Sequence, residues 1–376
     1  MISVARLRRH SRRLQEMHRP LLITMLALAG LGLLMQYSAA GGSVQPFMVP
    51  QLIRFLLGAC VFVILVCIQT QTLMRLSYLA YGGCVLLLVI VEAVGIIGGG
   101  AQRWVSVGVF NLQPSEFMKI GVILALAHYF HHATLEGTRH FFVLLIPAML
   151  TGVPVILILL QPNLGTATII GMIAFSMCFM AGIRWFYFAG VLGAGAAAIP
   201  VIYHFLHDYQ KQRVQTFLNP ESDPLGAGYN IIQSKIAIGS GGFFGKGLTQ
   251  GSQGQLDFLP EKQTDFIFTM LAEELGFAGV VCLLVGYGIV LFFALRLAAT
   301  CRHGFGRMLA AGVAALIFFH ALINIAMVMG LIPVVGVPLP FLSYGGSFLI
   351  TILVACGLLM HVYVNRDLQL ARSSRF

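Results

Sequence analysis

Long apolar segments, separated by short polar ones, run along the whole chain of 376 residues. The apolar positions are continuous and do not alternate with polar ones, which favours helices over the strands of a β-barrel. A helix needs roughly 20 apolar residues to cross the hydrocarbon core of a bilayer. The pattern therefore predicts ten spanning helices at residues 20–37, 50–69, 76–97, 114–131, 141–160, 164–182, 185–206, 265–295, 308–332 and 343–363.

The composition agrees with this pattern. Hydrophobic residues make up 58% of the chain and charged residues 10%, with a mean hydropathy of +0.89, whereas soluble domains carry about 25% charge. So much apolar surface requires a lipid environment. We expect an all-α integral membrane protein, a polytopic bundle of about ten transmembrane helices that forms a single domain over 20–363. The segments 1–19 and 364–376 flank it, and the large polar loop 207–264 separates spans seven and eight.

The start of the chain allows two interpretations. A basic segment precedes the first span, and Ser38, Ala39 and Ala40 resemble the cleavage site of a signal peptide. We expect a retained helix, because the apolar run is long for a signal peptide and ten spans give consistent charges at both ends.

Basic residues predict the orientation of the bundle. With both termini cytoplasmic, fifteen of the 23 Lys and Arg residues fall on cytoplasmic segments, and every such segment has at least one. This satisfies the positive-inside rule and explains the net charge of +10 without a nucleic-acid partner. The loop 207–264 is then external. Eight basic residues lie outside or near outer helix ends: Arg54, Arg103, Lys119, Lys211, Arg213, Lys235, Lys246 and Lys262.

Two of these eight residues, Arg54 and Lys119, interrupt apolar spans. A charge at membrane depth is costly and usually has a task, so we expect both to belong to a site. Loop lysines more often serve solvation. Lys119 follows Glu116 at a spacing that allows an ion pair. Arg103 and the adjacent tryptophan also suit a membrane interface.

Acidic residues stand before and within the eighth span. Glu261 and Asp265 follow Pro260, which fits the first turn of a helix, and residues four apart share one helical face. Repulsion between two carboxylates favours a general base, and Asp265 is the catalytic candidate. The alternative for Asp265 is an acidic residue that complements the helix dipole. Glu273 and Glu274 are either structural partners of an intramembrane base or part of a water-filled cavity.

Two irregular segments complete the set of motifs. The Gly-rich run 239–247 lacks the features of a phosphate-binding loop, and we interpret it as a turn-rich segment. The segment 333–346 has three prolines and three glycines, and non-helical backbone at membrane depth must be buried or line a cavity. His320 and Asn324, one turn apart, are expected to make structural hydrogen bonds. Supporting positions in the same region are Pro338, Pro340, Ser343 and Gly345.

These motifs resemble those of the SEDS family (shape, elongation, division and sporulation; RodA, FtsW and SpoVE), and its RodA type most closely. The resemblance covers nearly all spans at the spacing of the family. Its motifs are Arg103-Trp104, Gln113-Pro114-Ser115-Glu116 with Lys119, Gln161-Pro162-Asn163-Leu164-Gly165-Thr166, Gln233-Ser234 with 238–242, 259–268 with Glu273-Glu274, and 338–346.

The resemblance implies a peptidoglycan glycosyltransferase that polymerises glycan strands from lipid II at the outer face of the bacterial inner membrane, for cell elongation and cell shape. It also implies a class B penicillin-binding protein and elongation-complex membrane proteins as partners. The essential family aspartate falls on Asp265, the tryptophan motif on Trp104 and the basic helix residue on Lys119. Candidates for substrate binding are Arg54, Arg103, Trp104, Lys119, Arg213, Glu261, Gln233 and Ser234.

Two positions depart from the family pattern. Asn163 replaces the aspartate of Gln-Pro-Asp-Leu-Gly, which leaves a charge or cation contact there open. Gln263 replaces a histidine before Thr-Asp-Phe, which excludes a histidine base at that position. A divalent cation, Mg²⁺ or Mn²⁺, could assist the reaction, but the sequence has no convincing ligand spacing for a metal.

Two alternative functions stay open. A lipid II flippase would also have about ten spans, outer charges and a broken helix, although transporters place substrate charges near the midplane between repeats. A non-catalytic scaffold that activates a penicillin-binding protein is the other alternative. Polymerisation of lipid II distinguishes the enzyme from both.

Overall fold

The computed structural model describes residues 13–98, 101–107, 110–133, 141–205, 211, 215–219, 227–255, 259 and 261–370. Most of these residues are helical, and ten long helices lie close to the ten predicted spans. The helices are α1 (Arg19–Ala39), α2 (Met48–Cys67), α3 (Thr70–Val94), α4 (Pro114–His132), α5 (Phe141–Leu160), α6 (Leu164–Met180), α7 (Trp185–Phe205), α8 (Ala227–Ser240), α9 (Ser252–Gln255), α10 (Ile267–Thr300), α11 (Gly304–Val328) and α12 (Gly346–Val364).

Six of the described helices are long and apolar enough by themselves to cross a membrane, namely α1, α2, α3, α10, α11 and α12. The outward faces of α2 and α3 carry large apolar side chains, such as Leu56 at 57% exposure and Leu79 at 70%. Lipid can cover such faces and water cannot do so without cost. The chain is therefore an integral membrane protein, while the number of crossings stays a prediction.

Helix α11 lies at the centre of the bundle and packs against α4, α6, α10 and α12. Small residues let these helices approach closely. A Cβ on Gly312 of α11 would lie 2.7 Å from Ile123 of α4, and a Cβ on Gly58 of α2 would lie 2.3 Å from Leu353 of α12. This packing fixes the ends of four helices relative to one another at the site described below.

The structure differs from the all-α prediction by a small antiparallel sheet between α3 and α4. Its strands are β1 (Ile96–Gly98), β2 (Ala101–Val107) and β3 (Phe110–Leu112), in the order β1-β2-β3. The sequence analysis missed the strands because β1 continues the apolar run of the third span, and β1 and β3 have only three residues each. The sheet carries Arg103 and Trp104 on β2, next to the start of α4.

Helix α10 is broken at Gly276, where φ is 63° and ψ is −163°. The Gly-rich residues 241–247, called here the glycine clamp, bind the backbone groups that the break releases. Lys246 N and Gly247 N donate to the carbonyls of Glu273 and Glu274, and Phe277 N and Ala278 N donate to the carbonyls of Gly242 and Phe243, all at 3.0 Å.

Candidate functional site

A cavity of about 830 Å³ lies where α4, α6 and α12 begin, between β2, α11 and the segment before α10. Polar and apolar residues from distant parts of the chain form its wall. The predicted site residues in the wall are Arg103, Trp104, Glu116, Glu261, Asp265, His320, Pro338 and Gly345.

The backbone of Thr264 and Asp265 is anchored on two sides. Ser343 Oγ donates to the carbonyl of Thr264 at 2.6 Å, and Asn324 Nδ2 donates to the carbonyl of Asp265 at 2.9 Å. Both donor side chains are buried. These bonds fix the backbone at Asp265, whose partly buried carboxyl group belongs to the cavity wall.

Gly336 lies against that carboxyl group. Its φ is +68°, a conformation that glycine adopts at little cost. A Cβ on Gly336 would lie 3.3 Å from Asp265 Oδ2, a tight contact. Because glycine has no Cβ, the Asp265 carboxylate can occupy its position in the wall without this contact.

His320 and Asn324, one turn apart on α11, hold the loop that contains Gly336. His320 Nδ1 donates to the carbonyl of Pro338 at 3.2 Å, and Asn324 Nδ2 donates to the carbonyl of Val337 at 2.7 Å. These contacts agree with the structural hydrogen bonds expected of both side chains. Because Asn324 also binds the backbone of Asp265, one side chain links the loop to the candidate base.

Lys119 is wholly buried behind the cavity wall. Its Nζ lies 2.7 Å from Glu116 Oε2, which confirms the predicted ion pair, and 2.9 Å from His320 Nε2. The carbonyl of Pro338 can only accept, so His320 carries its proton on Nδ1 and Nε2 accepts from Lys119. The imidazole is then neutral, and Glu116 balances the charge of Lys119.

Arg103 connects the sheet to the start of α6. Its Nε donates to the carbonyl of Gln161 at 3.0 Å, and its guanidinium also donates to the carbonyl of Pro162. Asn163 follows and caps α6, with its side chain accepting from Thr166 N at 3.4 Å. Asparagine and aspartate are both good N-caps, so the departure at this position preserves the helix start.

Glu273 and Glu274 are buried outside the cavity wall. Glu273 Oε1 accepts from Lys246 Nζ at 2.7 Å and from Ser252 Oγ at 3.1 Å. Glu274 accepts from Ser38 Oγ at 2.6 Å. The two carboxylates thus bind the glycine clamp, the segment after it and α1, as expected of the structural alternative.

Helix α8 carries two further predicted residues outside the wall. Ser234 Oγ lies 2.7 Å from Thr269 Oγ1 and donates to the carbonyl of Val328 at 2.8 Å, which joins α8 to α10 and α11. Gln233 is the neighbouring, partly buried residue. Arg213 lies outside the described residues.

The loop before α12 is held from the other side as well. Tyr287 of α10 donates its hydroxyl to the carbonyl of Pro340 at 2.6 Å. Arg54 of α2 lies behind the wall, with its guanidinium carbon 4.5 Å from the centroid of the Tyr344 ring. Tyr344 itself belongs to the wall.

The start of α10 differs from the prediction. The helix begins at Ile267 after a series of turns, and Glu261 has a left-handed φ of 55°. The prediction that Glu261 and Asp265 share one helical face is therefore wrong, although both line the cavity. The physical reason is that the loop and α11 provide donors for the carbonyls of Thr264 and Asp265, which hold the turns in place.

The sequence analysis missed two buried amides that hold the site. Gln36 Nε2 donates to the carbonyls of Gln263 at 3.0 Å and Leu342 at 2.8 Å. Gln51 Nε2 donates to the carbonyl of Ser343 at 3.0 Å. A lone amide inside an apolar span was the available signal, because a buried polar group requires hydrogen-bond partners.

The fold and the site define a polytopic membrane protein with a carboxylate-lined cavity at one end of its helix bundle. The chain belongs to the FtsW/RodA/SpoVE family of cell cycle proteins, whose sequence profile matches residues 19–368. This result confirms the family that the motifs indicated.

Two relatives show the extent of the similarity in sequence. The peptidoglycan glycosyltransferase MrdB of Escherichia coli K12 is 41% identical over 353 residues, which cover 93% of this chain and 94% of MrdB. The stage V sporulation protein E of Bacillus subtilis is 41% identical over 282 residues, covering 74% of this chain and 75% of that protein.

One solved structure is a chain of a peptidoglycan synthase complex that coordinates polymerization and crosslinking. The match has a TM-score of 0.83 and 32% identity, and it covers 94% of this chain and 99% of that chain. The rod shape determining protein RodA of Thermus thermophilus matches with a TM-score of 0.71 and 31% identity over 94% and 98%. Both therefore support the described fold over nearly its full length.

Proposed function

We propose that the chain is a peptidoglycan glycosyltransferase that polymerises glycan strands from lipid II, with Asp265 as the general base. The observation that carries this proposal is the cavity, which joins Asp265 to Arg103, Trp104 and Glu116 from separate parts of the sequence. A relative named peptidoglycan glycosyltransferase is 41% identical over 93% of the chain. The predicted enzyme class agrees with that name.

The reaction joins two sugars and releases a lipid diphosphate. The 4-hydroxyl of the acceptor attacks the anomeric carbon of the donor, the bond from that carbon to the diphosphate oxygen breaks, and the carboxylate of Asp265 takes the hydroxyl proton. A positioned base of this kind contributes about 10² to 10⁴ in rate. The anchored backbone of Asp265 suits this role because the carboxylate has a fixed position before substrate binds.

Charge on the departing diphosphate must be stabilised. Of the basic residues predicted for this task, Arg103 lies in the cavity wall, where its guanidinium also donates to the carbonyls of Gln161 and Pro162. Lys119 acts through Glu116 and His320, which it holds in the wall. Lys119 therefore positions these two residues and does not itself contact the diphosphate.

A divalent cation, Mg²⁺ or Mn²⁺, is part of the proposal only as an aid. Within the described part of the chain, no group of three or more His, Cys, Asp or Glu side chains could hold a metal ion. Magnesium is commonly held by one or two carboxylates together with substrate phosphates. Glu261 and Asp265 would supply the carboxylates, and the cation would neutralise diphosphate charge.

The proposal places the cavity at the outer face of the bacterial inner membrane, with both termini cytoplasmic. The distribution of Lys and Arg supports this orientation. A class B penicillin-binding protein is the proposed partner, with other membrane proteins of an elongation complex. The similarity to a chain of a peptidoglycan synthase complex supports a partner that crosslinks the new strands.

Polymerisation of labelled lipid II by the purified chain, with its partner present, tests the proposal. We expect polymer from the wild type and none from Asp265→Ala, whereas full activity of Asp265→Ala would overturn the assignment of the base. Lipid II flipping in proteoliposomes without polymerisation would favour the flippase. Partner activation by Asp265→Ala, without polymerisation by the wild type, would favour the scaffold.

The break in α10 does not favour the flippase. Broken helices of transporters direct released backbone groups at a substrate. In this chain the glycine clamp already bonds the backbone groups of Glu273, Glu274, Phe277 and Ala278.

A further inference from the structure

Arg54 of α2 lies beside the beginning of α12, and it forms no ion pair with any residue that the structure describes. A Cβ on Gly346, the first residue of α12, would lie 3.4 Å from Arg54 Nε, so the guanidinium rests against the helix start. Its Nη1 is buried and makes no hydrogen bond with any residue that the structure describes. A buried donor of a charged group without an acceptor is costly, which indicates a partner outside the described chain.

The beginning of α12 adds to the positive potential. Its N-cap is Gly345, which provides no side-chain acceptor. The first N–H groups of a helix have no acceptor within the helix, and this end carries about half a positive charge. Arg54 and the helix start therefore repel each other unless an anion lies near both.

Four other basic residues on the predicted outer side have acceptors. Lys119 and Lys246 pair with carboxylates. Arg103 and Lys262 donate to backbone carbonyls, at 3.0 Å and 2.8 Å respectively. The ion pairs among the described residues do not include Arg54, whose guanidinium packs against the aromatic ring of Tyr344 instead.

We propose that Arg54, Tyr344 and the start of α12 form a subsite for the phosphate or diphosphate group of a membrane lipid. A guanidinium matches phosphate oxygens in geometry and charge. The neighbouring Ile53 is 50% exposed on the lipid-facing side of α2, so a lipid chain can lie beside it. Tyr344, Gly345 and Gly346 also line the cavity, which places the phosphate where lipid meets the cavity.

Two lipids carry this chemistry. The diphosphate of a polyprenyl carrier is one source, and that identity rests on the proposed function. The phosphate of an anionic phospholipid is the other, and it is independent of the proposed function. The subsite itself is defined by the binding of either lipid through Arg54.

Binding of three probes to the purified full-length chain tests this subsite. The probes are undecaprenyl pyrophosphate, phosphatidylglycerol and undecaprenol, which lacks phosphate. We expect Arg54→Gln to weaken binding of at least one phosphate-bearing lipid about tenfold, the scale of one charge-assisted contact, and to leave undecaprenol unchanged. The matched control is Arg75→Gln, since Arg75 is exposed near the start of α3.

The pattern of loss identifies the source. A loss confined to undecaprenyl pyrophosphate assigns the subsite to the carrier, a loss confined to phosphatidylglycerol assigns it to phospholipid, and a loss of both supports a general phosphate subsite. Equal affinity of Arg54→Gln and the wild type for both phosphate-bearing lipids would overturn the inference. An equal loss in Arg75→Gln would overturn it as well.

A second variant covers the case in which Arg54→Gln does not fold. Arg54→Lys keeps the charge but loses the planar stacking on Tyr344, so binding a few times weaker than wild type is expected, and unchanged binding contradicts the subsite. A wild type that binds lipid through Arg54 but forms no polymer would contradict only the proposed function.

Discussion

Two pairs of acidic residues, all four within fourteen consecutive positions of the chain, have opposite surroundings. Glu261 and Asp265 precede α10 and line the cavity, whereas Glu273 and Glu274 lie at its break and are buried. The first pair lies in the turns before the helix begins, and the second lies beside its break at Gly276. The turns before the helix border the cavity, and the break is filled by the glycine clamp.

The two pairs differ in their burial and in whether they line the cavity. Burying a charge is costly unless donors compensate it. At the break, Lys246 and Ser252 supply those donors to Glu273, and Ser38 supplies one to Glu274. At the cavity, Asn324 anchors the backbone of Asp265, whose partly buried side chain lines the wall.

The largest expected effect on stability is at the break. Gly245→Ala would place a Cβ 2.1 Å from the carbonyl oxygen of Glu274, at a residue with φ of +79°. The clamp would have to leave the break, so we expect a loss of more than about 4 kcal/mol or no folded protein. Thermal unfolding of the purified chain in detergent measures the effect.

Gly239→Ala is the matched control in the same part of the chain. A Cβ there meets no atom within 4 Å, and alanine is the better helix former, so stability should stay within about 1 kcal/mol of the wild type. If the two variants unfold alike, the clamp does not hold the break, and the comparison between the two acidic pairs fails.

The next effect is on rate and concerns Gly336. Gly336→Ala strains a backbone with φ of +68° and brings a Cβ within 3.3 Å of Asp265 Oδ2. A displaced base costs rate, and we expect kcat to fall about ten- to hundredfold with only a modest change in melting temperature. Steady-state polymerisation measures kcat, with Gly171→Ala of α6, where a Cβ meets nothing within 4 Å, as the control. An unchanged kcat would show that Gly336 does not set the position of the carboxylate.

A smaller effect is expected at Ser38. Ser38→Ala removes the hydroxyl that donates to Glu274 and accepts from Thr249 N at 3.2 Å. The loss should be about 1 to 3 kcal/mol of stability, with polymerisation per folded molecule unchanged. Thr24→Ala serves as control, since that exposed hydroxyl bonds only the preceding turn of its own helix. Equal melting temperatures for the two variants would contradict a structural role for the contact with Glu274.

The sequence predicted the long helices because their signals are local, and eight of its candidate site residues line the cavity. Apolar runs are read directly, and the spacing of Glu116 and Lys119 predicted an ion pair that the structure confirms. The motifs also indicated the family. Asp265 was singled out as a candidate base by its position before an apolar run and by that resemblance.

The remaining features depend on contacts between distant segments. The helix start at Ile267 is set by donors from Ser343 and Asn324, some sixty to eighty positions further along the chain. The Gly-rich run 239–247 has no phosphate-loop pattern in its sequence. Its structural role is evident only from the fold, because residues 241–247 bond the backbone groups beside the break at Gly276. Gln36 was missed for the same reason, since its acceptors lie on two remote loops.

Polymerisation per folded molecule, compared among wild type, Asp265→Asn and Ser38→Ala, tests the central claim most directly. The account predicts that Asp265→Asn melts like the wild type and loses at least about a hundredfold in rate, while Ser38→Ala melts earlier and keeps its rate. Wild-type polymerisation by folded Asp265→Asn, or an equal loss of rate in folded Ser38→Ala, would contradict it.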